Sequence, residues 1–256
     1  MSFTTMFDLT GKIALVTGGS RGIGESIARC LAEYGAQVLV SSRKAEGCEA
    51  VAQSIRSTGG KADALPCHIG EMDQIEKLFS SLEQQHGRLD ILVNNAATNP
   101  HFGPIWETDV GAYQKTVDVN IRGYYFMSSL AVKMMMRQGA GSIVNLSSVN
   151  GVIPGPMQGI YSITKAAIIS MTKAFAKECA ASGVRVNALL PGLTDTKFAA
   201  TLIKNETILP KMLEHVPMKR VAHPDEMAGT VLYLVSPASS YATGVCINVD
   251  GGYLLN

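Results

Sequence analysis

The sequence is poor in charge: 17% of its 256 residues are Asp, Glu, Lys or Arg, and the formal net charge is +1. With no long basic run, nothing in it suits nucleic acid or an anionic membrane surface as a partner. No apolar stretch approaches the roughly 20 residues that a membrane span needs. The opening stretch MSFTTMFDLTGK lacks a charged region followed by an apolar core, so no secretory leader is expected. The terminal Leu254-Leu255-Asn256 is not a peroxisomal address of the Ser-Lys-Leu type. Cysteine is scarce and unpaired: Cys30, Cys48, Cys67, Cys179 and Cys246 form an odd, scattered set without a CxxC pair. Reduced, mostly buried thiols in a cytoplasmic protein account for that set, and no metal site is expected. Internal repeats, low-complexity linkers and breaks in composition are also missing, which leaves one domain as the economical organisation.

What the chain does have is alternation. Short β-branched runs at 12–17, 37–41, 61–67, 89–93, 142–147, 184–190 and 245–249 read as strands, most of them continuously apolar as buried parallel strands are. Between them, 23–34, 45–57, 72–86, 111–137, 158–181 and 224–235 read as helices; in the first, Ile23, Ile27, Leu31 and Tyr34 recur at helical spacing. The pattern predicts a single-domain, Rossmann-like α/β fold, a doubly wound parallel sheet with helices on both faces. Segment 192–223 is irregular, Met-rich and interrupted by proline, and it follows the sixth strand. Ligands bind beyond the carboxyl ends of such strands, so this segment is either a substrate lid or a surface insertion.

The first strand runs into Thr17-Gly18-Gly19-Ser20-Arg21-Gly22-Ile23-Gly24 and then a helix. A dinucleotide pyrophosphate needs bare backbone N–H groups at a helix N-terminus, and glycines clear the way for it. The spacing is GxxxGxG, not the commoner GxGxxG, so position after the first strand carries the signal. An NAD site places an acid at the end of the second strand, about 20 residues on. Here that strand ends Ser41-Ser42-Arg43-Lys44. One reading is that Arg43 and Lys44 only solvate a strand end. With Arg21 nearby and no acid, however, the 2′-phosphate of NADP(H) is the better match.

Tyr161 and Lys165 lie four residues apart on one helix face. A phenol has a pKa near 10, and a neighbouring cation is expected to lower it toward useful acid–base chemistry. A Tyr-x-x-x-Lys pair by itself occurs on many helices by chance.

Over essentially its whole length, however, the chain resembles the short-chain dehydrogenase/reductase family. Thr17 to Gly24 matches that family's TGxxxGxG turn, and Asn94-Asn95-Ala96-Ala97 its NNAG motif with alanine in the last place. Asn120 falls on the family's helical asparagine, and Ser148, thirteen residues before Tyr161, on its serine. Pro191-Gly192-Leu193-Thr194-Asp195-Thr196 matches the PGxxxT segment beside the nicotinamide, and Val249-Asp250-Gly251-Gly252 the terminal strand.

The resemblance implies a catalytic set of Asn120, Ser148, Tyr161 and Lys165. Tyr161 would be the proton donor, Ser148 would orient the carbonyl oxygen, Lys165 would hold the cofactor ribose and favour phenolate, and Asn120 would maintain a water-linked relay. It also implies cofactor contacts from Gly18, Ser20, Arg21, Gly22, Ile23, Gly24, Ser42, Arg43, His68, Ile69, Asn95, Ala96, Pro191, Gly192, Thr194 and Thr196, besides Tyr161 and Lys165. Cys67-His68-Ile69-Gly70 departs from the family, which has an aspartate near the adenine; His68 could stack on that ring or hydrogen-bond to it.

Within the family, the chain looks most similar to NADPH-dependent carbonyl and retinal reductases. The expectation is therefore NADP(H)-dependent reduction of a small-molecule ketone or aldehyde by a homotetramer. The alternatives are a 3-oxoacyl thioester reductase, for which Arg122, Lys133 and Arg137 are the basic candidates near the entrance, and a non-catalytic nucleotide-sensing scaffold.

Overall fold

The computed structural model describes residues 3–255. Met1, Ser2 and Asn256, on which part of the reading of both chain ends rests, lie outside the described residues. Seven parallel strands form one sheet in the order β3-β2-β1-β4-β5-β6-β7. They are β1 (Ile13–Thr17), β2 (Gln37–Ser41), β3 (Lys61–Ala64), β4 (Ile91–Asn94), β5 (Gly141–Leu146), β6 (Val184–Pro191) and β7 (Cys246–Val249). The order reverses between β1 and β4, the crevice where doubly wound sheets bind ligands.

The apolar strands are covered on both faces. Ala14, Val16, Ile91, Val93, Val144 and Leu189 pack against α1 (Gly22–Glu33), α2 (Ala45–Ser57) and α9 (Asp225–Val235). Alternate residues, Leu15, Leu92, Ile143 and Val186, face α3 (Met72–His86), α5 (Tyr124–Gln138) and α6 (Gly159–Cys179). Each strand thus divides its side chains between two cores, which explains the continuous hydrophobic runs. β3 is shorter than expected because Pro66 has no N–H, although Leu65 N and Cys67 N still donate to Val40 O and Ser42 O.

One expected helix is three elements. The stretch 111–137 consists of α4 (Val110–Val117), a π-helical turn over Asp118–Gly123, and α5. Asp109 starts α4 by accepting a hydrogen bond from Ala112 N, and Gly139, in the left-handed region at φ 68°, ends α5. At Gly123 a Cβ would come within 2.5 Å of Ile69 O, so only glycine lets the π-turn pass this close to the loop after β3. Segment 192–223 is also more ordered than its sequence suggests, with two short helices, α7 (Ala200–Ile203) and α8 (Ile208–Glu214).

The five thiols are unpaired; Cys48, Cys67 and Cys179 are buried, and Cys30 and Cys246 half-buried. Burial pushes the Cys30 thiol up to about 11 and that of Cys67 to about 12, which keeps both protonated and unreactive. Among the described residues, no helix is long and apolar enough to cross a membrane, and no group of His, Cys, Asp and Glu side chains could hold a metal ion.

Candidate active site

The carboxyl ends of the strands open into one cleft of about 1420 Å³, larger than the roughly 300–1,000 Å³ of an ordinary small-ligand pocket. Every residue predicted to touch cofactor lines it, as do Ser148, Tyr161 and Lys165. Asn120 does not.

At one end the surface is backbone. Thr17 Oγ1 donates to Val93 O at 3.2 Å and accepts from Asn95 N and Ala96 N, clamping the ends of β1 and β4 together. Asn95 Nδ2 then donates to Thr17 O at 2.9 Å and Gly18 O at 3.2 Å, so this amide shapes the glycine turn. Gly18, at φ 65°, could carry no Cβ without meeting Asn95 Nδ2 at 2.6 Å, and at Gly24 a Cβ would run into Gly18 O. No side chain caps α1 at Arg21, which leaves its first N–H groups facing the cleft. These features fit a dinucleotide pyrophosphate.

At the end of β2, Ser20 Oγ donates to Ser42 Oγ at 2.9 Å. Arg21 and Arg43 line the cleft beside them, exposed and without an ion-pair partner among the described residues. That arrangement suits a phosphate monoester on the ribose. His68 is oriented by its own loop. Gly70 N donates to His68 Nδ1 at 3.0 Å, the turn an aspartate would make there, so a neutral His68 carries its proton on Nε2. A Cβ on Gly70 would strike that ring at 2.8 Å.

The candidate catalytic residues Ser148, Tyr161 and Lys165 meet where β5 meets α6. Ser147 Oγ donates to Lys165 O at 2.7 Å, and Gly151 allows the same close approach, since its Cβ would lie 2.8 Å from Lys165 O. Lys165 Nζ donates to Leu146 O at 2.7 Å and lies 5.5 Å from the Tyr161 ring centre. Tyr124 OH donates to the same Leu146 carbonyl at 3.3 Å. Ser148 works against burial to lower the Tyr161 pKa, and its Oγ accepts from Asn150 N at 3.1 Å. Phe198, from segment 192–223, leans over Tyr161 with ring centres 5.7 Å apart.

Two expectations change here. Lys165 was expected to lower the Tyr161 pKa, but burial outweighs every favourable contact and pushes the phenol up to about 12. Burial also brings Lys165 down to about 7, because an ammonium is expensive away from water. Asn120 is fully buried behind the cleft, and its amide is engaged: Oδ1 accepts from Thr98 N at 2.9 Å, while Nδ2 donates to Thr98 O and to Thr164 Oγ1. It fixes the 98 loop to α6.

The basic residues also fall elsewhere. Arg122 pairs with Asp118, and Arg137 with Glu83 in a groove between α3 and α5 that Lys133 also lines. Instead, Lys115, Lys197 and Lys211 line the cleft. No spacing rule marks these lysines, or Ser147 and Tyr124, in the sequence; strand register and loop folding bring them in.

Comparison with known proteins agrees with this geometry. A family model described as Enoyl-(Acyl carrier protein) reductase matches residues 18–254. The chain is 37% identical over 244 residues to Dehydrogenase/reductase SDR family member 4 of Homo sapiens, covering 95% of this chain and 88% of that one. It is 36% identical over 252 residues to the 3-oxoacyl-[acyl-carrier-protein] reductase of Synechocystis sp., covering 98% and 100%. Among solved structures, a gluconate 5-dehydrogenase from Burkholderia cenocepacia in complex with NADP and tartrate superposes with a TM-score of 0.94 at 30% identity, covering 98% of each chain.

Proposed function

The chain belongs to the short-chain dehydrogenase/reductase family and is an oxidoreductase, and from that premise we propose that it reduces a ketone or aldehyde to an alcohol with NADP(H). The observation that carries this is the meeting of Ser148, Tyr161 and Lys165, with Lys165 Nζ 5.5 Å from the Tyr161 ring centre, inside the cleft that the glycine turn opens.

When bound, the cofactor supplies a hydride to the carbonyl carbon. With burial holding its pKa near 12, Tyr161 keeps its proton at neutral pH and is the group that would pass one to the substrate oxygen, as a weaker acid than a free phenol. Ser148 accepts the Asn150 N–H, which leaves its own O–H free to orient that oxygen. Lys165 spends one donor on Leu146 O, which leaves its other N–H donors to hold the cofactor ribose when the cofactor is bound. Asn120 acts as a positioning residue through Thr98. The 2′-phosphate would lie between Arg21 and Arg43 beside the Ser20–Ser42 hydroxyls. Segment 192–223 would serve as the substrate lid, Phe198 closing over Tyr161.

A second reading, reduction of a 3-oxoacyl thioester, is favoured by Lys115, Lys197 and Lys211, which give the cleft positive charge toward an anionic carrier. Tyr113, Tyr125, Phe126 and Ile163 are 37–54% exposed on α4, α5 and α6, an apolar face that supports self-association into a homotetramer. A cytoplasmic location accords with five unpaired thiols.

The test is consumption of NADPH and NADH with acetoacetyl thioester and with small aromatic ketones. NADPH should be preferred, and Tyr161→Phe should lose about 10²- to 10⁴-fold in kcat with cofactor affinity retained. Turnover unchanged in that variant would remove Tyr161 from the mechanism.

A further inference from the structure

Gln158 has an amide that the fold does not use. The residue is only 8% exposed, yet it lines the cleft, and its side chain makes no hydrogen bond among the described residues. It occupies the position before α6 where Ser, Thr, Asp or Asn would cap the helix, and it does not cap it. Its backbone, by contrast, is fully tied: N donates to Gly155 O at 3.2 Å, and O accepts from Ser162 N at 2.9 Å and Ser162 Oγ at 2.8 Å. The preceding residue, Met157, is held in the left-handed region at φ 62° while its carbonyl accepts from Gly103 N at 3.0 Å. A non-glycine residue in that conformation is a strained arrangement of the kind found at binding sites. Here it fixes the direction in which Gln158 leaves the chain.

Residues i and i+3 share a helix face, so the Gln158 amide and the Tyr161 phenol project to the same side. The Gln158 amide makes no hydrogen bond within the fold and opens on the cleft it lines, where a bound molecule can reach it. We propose that Gln158 is a specificity-determining residue that holds a second oxygen of the substrate, close along the chain from the carbonyl that is reduced. The substrate class is then 3-oxo esters and thioesters or hydroxyketones, in preference to simple ketones. This rests on the reductase reading above.

The experiment measures kcat/KM with NADPH for ethyl 3-oxobutanoate and for 2-heptanone, a ketone of similar length without the second oxygen. In Gln158→Leu the ratio of the two should fall about 10- to 100-fold, through KM more than kcat, because the ester oxygen is desolvated without a donor. Gln158→Glu keeps the length but loses the N–H donors, so its ratio should fall likewise. NADPH affinity and the thermal midpoint of each variant are read alongside, and the glutamate variant carries the test if the leucine variant does not fold. A ratio unchanged in the folded variants, or equal losses on both substrates, overturns the proposal. Absence of any carbonyl reduction by the wild-type protein overturns the reductase reading instead.

Discussion

At the Gly18–Gly24 end of the cleft the surface is backbone, held by Thr17 and Asn95. At the 192–223 end it is side chains from two short helices and their flanks, among them Leu202, Met212 and the half-exposed Phe198. The first end reads a constant ligand, since every dinucleotide presents the same pyrophosphate, and close approach leaves no room for variation. The second, on the proposed function, would face whatever is reduced, and side chains can be exchanged there without touching the strands. A change at the first end should therefore act on every substrate alike, whereas a change at the second should separate one substrate from another.

The largest departure is expected from Gly18→Ala, which brings a Cβ to 2.6 Å from Asn95 Nδ2 at φ 65°. Strain of about 1–3 kcal/mol corresponds to NADPH binding weaker by up to about 100-fold, equal for all substrates; a titration of cofactor fluorescence measures it. Arg43→Glu should weaken NADPH by about 10-fold or more while sparing NADH, since a charge-assisted contact to phosphate is worth about 1.5–3 kcal/mol. Equal losses with both cofactors would disconnect Arg43 from the 2′-phosphate. Phe198→Ala should raise KM by roughly 2- to 10-fold, as loss of an aromatic contact predicts, by different factors for different ketones and with cofactor affinity retained. A uniform effect would erase the contrast between the two ends.

An effect of another kind, on stability, lies between them at Lys165. Its folded pKa is about 7 against 10.5 for the ordinary group, so between those values the unfolded chain binds a proton that the folded one lacks. Stability from this group is therefore lowest below pH 7 and rises as pH climbs through that window. Lys165→Met should flatten the rise, as urea midpoints at pH 7 and pH 9 would register; parallel slopes would contradict the buried ammonium.

Fold class was legible because it rests on short-range signals, and so was the meeting of Ser148, Tyr161 and Lys165 in one cleft. Apolar runs marked all seven strands. The glycine turn was equally plain, because a missing Cβ is written in the residue itself. What escaped depends on long-range placement. The Tyr161 proton is governed by burial under Phe198 and the surrounding wall, which no residue spacing encodes. Asn120 was correctly assigned to a helix, but the π-turn that points its amide at Thr98 leaves the hydrophobic period of 111–137 nearly unbroken. Gln158 looked like an ordinary polar residue ahead of a helix until its place on the cleft wall, with no hydrogen bond to α6, set it apart.

The π-turn at Asp118–Gly123 also works as a phase shifter. It accommodates one residue more than a regular helix would, and one residue corresponds to about 100° of rotation. Deleting a single residue there would let α4 and α5 fuse into one continuous rod. The outward face of α4, with Tyr113 and Val110, would then swing about a quarter-turn relative to α5. In this fold a one-codon deletion in the middle of a helix is therefore a rotation of the molecular surface, and relatives with and without that residue would offer different faces to their neighbours from nearly the same sequence.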